Sequence, residues 1–133
     1  MILEILLASV VTLSGTLPDS RSAAELFGKG LYEAARTGFE SLPDNSVNDG
    51  YEVLCALRMG SDDSEALVSD YFRKYGSSSL YSEILFESGR SLFDKEQYPQ
   101  ALKAFSAVNQ KNLDKNRWAE LFYKKGFCEF SGA

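Results

Sequence analysis

The spacing of small and large residues between Leu80 and Leu113 constrains the fold of this chain more than any other feature. Apolar residues recur there at helical intervals in two groups. The small residues Gly89 and Ala101 lie twelve positions apart, and the large residues Leu92 and Phe105 follow them by three and four positions. Small residues let two helices cross closely, while large neighbours fill the space beside the crossing. This stretch therefore predicts two antiparallel helices that need further elements to bury their other faces.

The same spacing recurs nearer the N-terminus. Ala23 precedes Ala35 by twelve positions, and Phe39 follows Ala35 by four. Gly28-Lys29-Gly30 interrupts the helical pattern between them, because paired glycines favour a turn. Leu31 is expected to extend the apolar stripe of the second helix. Together with a shorter pattern in the middle of the chain, these stripes predict hairpins at residues 20–42, 48–75 and 80–110.

The middle hairpin and its flanking turns carry the capping residues. The apolar stripe of its second helix is expected to consist of Ala66, Leu67, Tyr71 and Phe72. Asp62 or Asp63 is expected to cap that helix, since a side-chain oxygen there can accept an otherwise unpaired backbone N–H. Ser79 or a neighbour is expected to cap the next helix in the same way.

A last helix is expected at residues 117–130. Phe122 and Gly126 repeat in it the spacing of Leu85 and Gly89. No second apolar stripe follows, so this pattern predicts a lone helix and a chain truncated at its C-terminus. Solenoids usually end instead with a helix that has a polar outer face.

Composition narrows the classes of function. The chain has 133 residues, 44% of them hydrophobic, and a net charge of −5 without a single histidine. The acidic balance argues against nucleic acid as a partner. The lack of histidine excludes Ser-His-Asp, Cys-His and histidine–zinc sites. No phosphate-loop or dinucleotide motif occurs, so no cofactor and no metal are predicted.

Two pairs of residues leave alternatives open. Glu83 and Glu87 lie one helical turn apart and could act as paired catalytic carboxylates, but a solvated helix face is the favoured interpretation. Cys55 and Cys128 could form a disulfide, although each lies in an apolar helical pattern that suits a buried thiol. The chain is therefore expected not to be an enzyme.

The first sixteen residues have two interpretations. The run MILEILLASVVTLSG is too short for a membrane span and has the length of an export signal, with small residues after it. Glu4 stands where a signal normally carries positive charge, so a hydrophobic helix packed on the rest is the alternative. A cleaved signal would leave an exported mature chain of residues 17–133, and a packed helix would leave the chain in the cytoplasm.

The small-to-large spacing resembles the tetratricopeptide repeat (TPR) pattern. Three sets of residues carry the resemblance, namely Ala23/Leu26/Ala35/Phe39, Gly89/Leu92/Ala101/Phe105 and Phe122/Gly126. The chain departs from the pattern by lacking Trp at the starts of its helices and by carrying Leu92 where Tyr is usual. The region from Tyr51 to Phe105 is more narrowly similar to exported bacterial TPR proteins, and this similarity implies a place in the periplasm or at the outer membrane. The resemblance implies an all-α, right-handed solenoid of about three and a half repeats.

A binding role follows from this resemblance. TPR proteins act as scaffolds that hold a peptide or helix of another protein in a concave groove, so a protein partner is expected. The expected groove lies between the first helix of the hairpin at residues 80–110 and the helix at residues 117–130. The residues expected to line it are Glu83, Phe86, Arg90, Phe93, Glu120, Tyr123, Phe127 and Phe130. Burial of the phenylalanines between repeats is the alternative for those side chains. A purely structural role, with activity lying beyond residue 133, is the alternative function.

Overall fold

The computed structural model describes residues 20–131, which form seven α-helices and no strand. The predicted N-terminal signal or helix at residues 1–16 lies outside the described residues. The helices are α1 (Ser20–Gly28), α2 (Tyr32–Glu40), α3 (Ser46–Met59), α4 (Ser64–Tyr75), α5 (Tyr81–Asp94), α6 (Tyr98–Ser106) and α7 (Trp118–Ser131), with 3-10 turns at Gln110–Asn112 and Lys115–Arg117. The all-α class expected from the sequence is confirmed.

The helices pack mainly against their neighbours in sequence. Helices α3 and α5 also pack against each other, and α5 likewise contacts α7. The first helices of the last three predicted units, α3, α5 and α7, therefore lie next to one another in order. Three apolar clusters fill the spaces between these helices, and two of them share the partly buried side chains Phe27 and Tyr51.

Helices α1 and α2 cross at small residues. A Cβ atom placed on Gly38 would lie 3.1 Å from the Cβ of Ala23, so the glycine that weakens α2 as a helix allows the close crossing. Ala35 and Phe39 are buried, as expected. The expectation for Leu31 is wrong, because this side chain precedes α2 and is exposed.

Helix α3 has clear signals at both ends. The side chain of Asn45 accepts hydrogen bonds from the backbone N–H groups of Val47, at 3.1 Å, and Asn48, at 2.8 Å. Gly60 ends the helix in the left-handed conformation, with φ of 65°, which favours glycine. The chain therefore turns directly after α3.

Two expectations about α4 and its flanks are wrong. Asp63 stands at the N-cap position but makes no capping hydrogen bond, because its carboxylate binds Arg36 of α2 instead. Ala66 is exposed, whereas the other members of the predicted stripe pack in one apolar cluster, namely Leu67, Tyr71 and Phe72. The predicted apolar stripe of α4 is therefore confirmed except at Ala66.

The turn before α5 also differs from prediction. Ser79 does not cap the helix; the hydroxyl of Ser78 accepts the backbone N–H of Leu80 at 3.3 Å and pairs with the hydroxyl of Tyr71 at 2.8 Å. The serine run therefore joins α4 to α5 through specific contacts.

Helix α7 buries one face and exposes the other. Leu121 and Cys128 are buried against α5 and α6. Phe122, expected to match buried Leu85 of α5, is 50% exposed. Both cysteines are buried free thiols, which agrees with the packing interpretation and excludes a disulfide between them. Among residues 20–131, no helix is long and apolar enough to cross a membrane.

Candidate functional site

A buried carboxylate surrounded by three arginines lies at the junction of α3, α5 and α7. Only 4% of Glu87 is exposed. Its Oε2 atom accepts hydrogen bonds from Nε of Arg58 at 2.8 Å and from Nη2 of Arg117 at 2.7 Å, and it lies 2.7 Å from Nη2 of Arg58. Its Oε1 atom accepts a hydrogen bond from Nη1 of Arg90 at 3.2 Å. Glu87 therefore joins α5 to α3 and to the turn before α7.

The network extends through a second set of ion pairs. Arg117 also binds Glu83, one turn before Glu87 on α5. Arg90 donates from Nε to Oε2 of Glu120 on α7 at 2.8 Å, and Lys124 donates to the same oxygen at 2.8 Å. The favoured interpretation of Glu83 and Glu87 as a solvated face is wrong, because arginines occupy both carboxylates.

Aromatic rings lie against the cations of this network. The guanidinium carbon of Arg117 is 4.7 Å from the centre of the Phe86 ring, and that of Arg58 is 5.1 Å from the Phe27 ring. The hydroxyl of Tyr32 accepts a further hydrogen bond from Arg58 at 2.8 Å. A cation over an aromatic face is attracted by the ring quadrupole. These rings therefore contact the arginines in addition to the carboxylates that pair with them.

The local environment keeps these groups ionised. Burial acts to lower the pKa of Arg58 and Arg117, but their hydrogen bonds and the nearby carboxylates outweigh burial and raise the pKa of both. Burial acts to raise the pKa of Glu120, but Lys124 and Arg90 outweigh it and lower that pKa. The network is therefore a charged structure throughout the neutral pH range.

A polar cleft of about 210 Å³ opens beside this network. We refer to it as the charged cleft; it is lined by Leu57, Arg58, Glu87, Arg90, Ser91, Asp94 and Lys124. Ligand pockets for drug-sized molecules usually occupy about 300–1,000 Å³. The charged cleft therefore suits one inserted side chain or a short stretch of backbone.

Two polar side chains of the charged cleft are unengaged. Asp94 is exposed and forms no ion pair or hydrogen bond through its carboxylate within residues 20–131, and the hydroxyl of Ser91 likewise has no partner there. The neighbouring Arg58, Arg90 and Lys124 are all engaged by carboxylates. The charged cleft thus offers two free polar groups, the carboxylate of Asp94 and the hydroxyl of Ser91, beside cations that already have partners.

The structure divides the eight residues predicted to line a groove. Phe86 is completely buried, so its predicted place in a binding groove is wrong. Glu83, Arg90 and Glu120 belong to the ion-pair network, and Arg90 also lines the charged cleft. Phe93 is half-buried beneath Lys124 and against Phe127. The exposed members of the set are Tyr123, Phe127 and Phe130, all on α7.

Sequence reasoning missed Arg58, Arg117 and Ser91 of this region. In the sequence, Arg58 stands among the apolar residues of a helix, and Arg117 stands at the end of a polar turn. The only available hint was the pair Glu83 and Glu87, whose partners lie about thirty positions away along the chain.

A second concavity, of about 190 Å³, lies between α3 and α4. It is acidic and is lined by Asp44, Asp49, Glu52 and Asp70 together with apolar and tyrosine side chains. The hydroxyl of Tyr75 donates to Asp49 at 2.5 Å. Burial, and then Glu40 and Asp49, raise the pKa of Glu52. Within residues 20–131, no three acidic or cysteine side chains are grouped so that they could hold a metal ion.

Comparisons with protein-family models, with curated proteins and with solved structures found no match to this chain.

Proposed function

We propose that this chain is a non-enzymatic scaffold that binds a segment of another protein in the charged cleft. The observation that carries the proposal is that Asp94 and Ser91 are unengaged and lie beside charged side chains that already neutralise each other. Because these neighbouring charges are neutralised, the charged cleft favours a polar peptide over a free ion. Asp94 can accept hydrogen bonds from backbone amides or from a basic side chain, and Ser91 can donate or accept one.

We further propose that the helices stack as TPR hairpins in a right-handed solenoid. The contacts of α3 with α5 and of α5 with α7 support this arrangement, because the first helices of successive TPR hairpins also lie next to one another. The charged cleft would then lie on the concave side of the stack, where an extended segment can run across several helices. If residues 1–16 act as an export signal, the partner is a protein of the periplasm or outer membrane.

The state of the two glutamates supports a role without catalysis. A general acid or base needs an oxygen within reach of a substrate proton. Arg117 binds both Glu83 and Glu87, and two further arginines occupy Glu87. Neither carboxylate is therefore free to exchange a proton with a bound molecule.

Site-specific photocrosslinking tests the binding surface. A photoreactive amino acid replaces Ser91 or Asp94 in the full chain, and Lys103, an exposed residue of α6, serves as the matched control. We expect one and the same protein to be crosslinked from positions 91 and 94 and not from position 103, with identification by mass spectrometry. Asp94→Lys should then weaken binding of that protein by about tenfold or more, whereas Lys103→Asp should leave it unchanged.

Crosslinks that appear equally at position 103, or that are absent from all three positions, would overturn the cleft as a binding surface. The second of these outcomes favours the purely structural role, in which the helices support an activity located elsewhere.

A further inference from the structure

The exposed side of α7 is organised around a glycine. Counting 100° per residue, Gly126 lies at the centre of the side opposite to buried Leu121 and Cys128. We define the outward face of α7 as Phe122, Tyr123, Gly126, Glu129 and Phe130. Phe130 is 85% exposed and Tyr123 is 67% exposed. Large apolar side chains at this exposure, grouped on one face, mark an interaction surface.

The corresponding face of α5 shows what such a surface does. Gly126 follows Gly89 by 37 positions, and the residues at the same offsets on α5 are buried or half-buried, with Phe86 and Leu92 in one apolar cluster with Phe105 of α6. Phe105 of α6 lies on Gly89, whereas no atom lies within 4 Å of an ideal Cβ at Gly126. The outward face of α7 therefore has the shape of a helix-crossing site without a helix on it among residues 20–131.

The two faces differ at one position, and this difference indicates what kind of helix can pack on the outward face of α7. Leu92 of α5 corresponds to Glu129 of α7, which is exposed and forms no ion pair within the described residues. An apolar helix like α6 would bury this carboxylate without a partner, which is unfavourable. The occupant must therefore supply a cation or a hydrogen-bond donor near Glu129 as well as apolar side chains around Gly126.

We propose that the occupant is α7 of a second copy of this chain, packed antiparallel about a two-fold axis that passes by Gly126. The face is self-complementary in this arrangement, because Phe122 and Phe130 lie four positions before and after the glycine. Phe130 of each copy reaches the level of Phe122 and Tyr123 of the other. A symmetric dimer uses the same patch on both subunits, as this face allows.

The charges agree with the same pairing. Lys125 makes no ion pair within the described residues, and it flanks the outward face on the side that Glu129 occupies. In an antiparallel pair centred on Gly126, Lys125 of one copy lies beside Glu129 of the other, and the contact occurs twice. Neighbouring glycines at the crossing let the two helices approach closely enough for these contacts. The inference rests on α7 alone and is independent of the charged cleft.

Disulfide trapping in the full chain tests the position of the axis. Gly126→Cys places two thiols at the crossing, and two cysteines bridge only when their Cα atoms lie within about 7 Å. We expect mild oxidation to give a covalent dimer from this variant and none from Lys103→Cys, an exposed control on α6. The native thiols are buried and do not compete.

Charge reversal tests the pairing without relying on a new side chain at the crossing. Sedimentation velocity from about 1 µM to about 1 mM measures the dimer dissociation constant. We expect Lys125→Glu and Glu129→Lys each to weaken the dimer by about tenfold, and the double variant to restore it. Phe130→Ser should weaken it as well while leaving helical content unchanged, since Phe130 is exposed in the single chain.

A chain that stays monomeric up to about 1 mM overturns the proposal. So does a dimer that is insensitive to Phe130→Ser, because it uses another surface. A dimer weakened by both single reversals but not restored by the double variant also overturns the two-fold pairing, because Lys125 and Glu129 then contact other groups of the partner.

Discussion

Phe105 of α6 lies directly against the backbone of Gly89 in α5. A Cβ atom added to Gly89 would come within 2.5 Å of the Phe105 ring, closer than real side chains approach. The two residues are sixteen positions apart, and their contact sets the distance between the helices of this hairpin. A small residue at position 89 is thus a requirement of packing.

We therefore expect Gly89→Ala to destabilise the chain by about 1–3 kcal/mol through overpacking. Gly126→Ala is the matched control, because it also replaces a helical glycine but meets no neighbouring atom. The control should raise stability by up to about 1 kcal/mol, since Ala favours a helix over Gly. Urea unfolding followed by circular dichroism, at a concentration where the chain is monomeric, measures both. Equal effects of the two substitutions would show that the Phe105 contact does not limit the space.

Replacing Glu87 by Gln should cost about 2–3 kcal/mol, because three arginines lose the charge that neutralises them. The partial exposure of the arginines keeps the loss below that of a fully buried pair. Asp70→Asn, which removes the exposed pair with Arg73, is the control and should change stability by less than about 0.5 kcal/mol. The free energy of unfolding is again the measurement. A loss below about 0.5 kcal/mol for the Glu87 variant would mean that the network stabilises nothing.

The pair of Arg36 and Asp63 predicts an acid dependence of stability. Hydrogen bonds from Arg36 and then Ser61 lower the pKa of Asp63 to about 2, against about 3.9 in an unfolded chain. A lowered carboxylate pKa stabilises the folded state above pH 4, and this contribution disappears as the pH falls through about 2. The contribution is below about 1 kcal/mol because the pair is exposed to solvent.

The difference in unfolding free energy between the wild type and Asp63→Asn should therefore shrink between about pH 4 and pH 2. Urea titrations at several pH values measure it. A difference that stays constant over this range would contradict the pairing of Asp63 with Arg36.

Both cysteines should be inert to thiol reagents in the folded chain. Cys55 and Cys128 are fully buried, and burial raises the pKa of Cys55 to about 11 and raises that of Cys128 as well. The reactive thiolate is therefore scarce and inaccessible. We expect no labelling at pH 8 before unfolding and two labelled thiols in denaturant, with Ser106→Cys as an exposed control that reacts at once. Labelling of the folded wild type at the rate of the control would show that these sites open readily.

The helices could be predicted well because their signals are local. The predicted hairpin at 80–110 contains α5 and α6, and the predicted lone helix at 117–130 differs from α7 by one residue at each end. The apolar stripe of α4 was predicted one residue too wide, since Ala66 and Leu67 both suit such a stripe. Only Leu67 packs against the cluster around Tyr71, and Ala66 is exposed.

The candidate site could be predicted only in part. Arg90 was found because it shares a helical face with residues of the same repeat. Phe86 was misplaced, since its burial depends on α6 and on Arg117, which lies over its ring. The partners of Glu87 come from α3 and from the turn before α7, and no spacing rule links residues about thirty positions apart.

The amino-acid sequence by itself determined the helical class, the places where helices begin and end, and the small residues at which neighbouring helices cross. These features depend on the preferences of residues and on interactions within a few turns of the chain. Only the tertiary structure decided which carboxylates are buried with arginines, which aromatic rings are covered and which remain exposed on α7. Burial and ion pairing depend on which helices lie side by side, and that is a property of the whole packed chain.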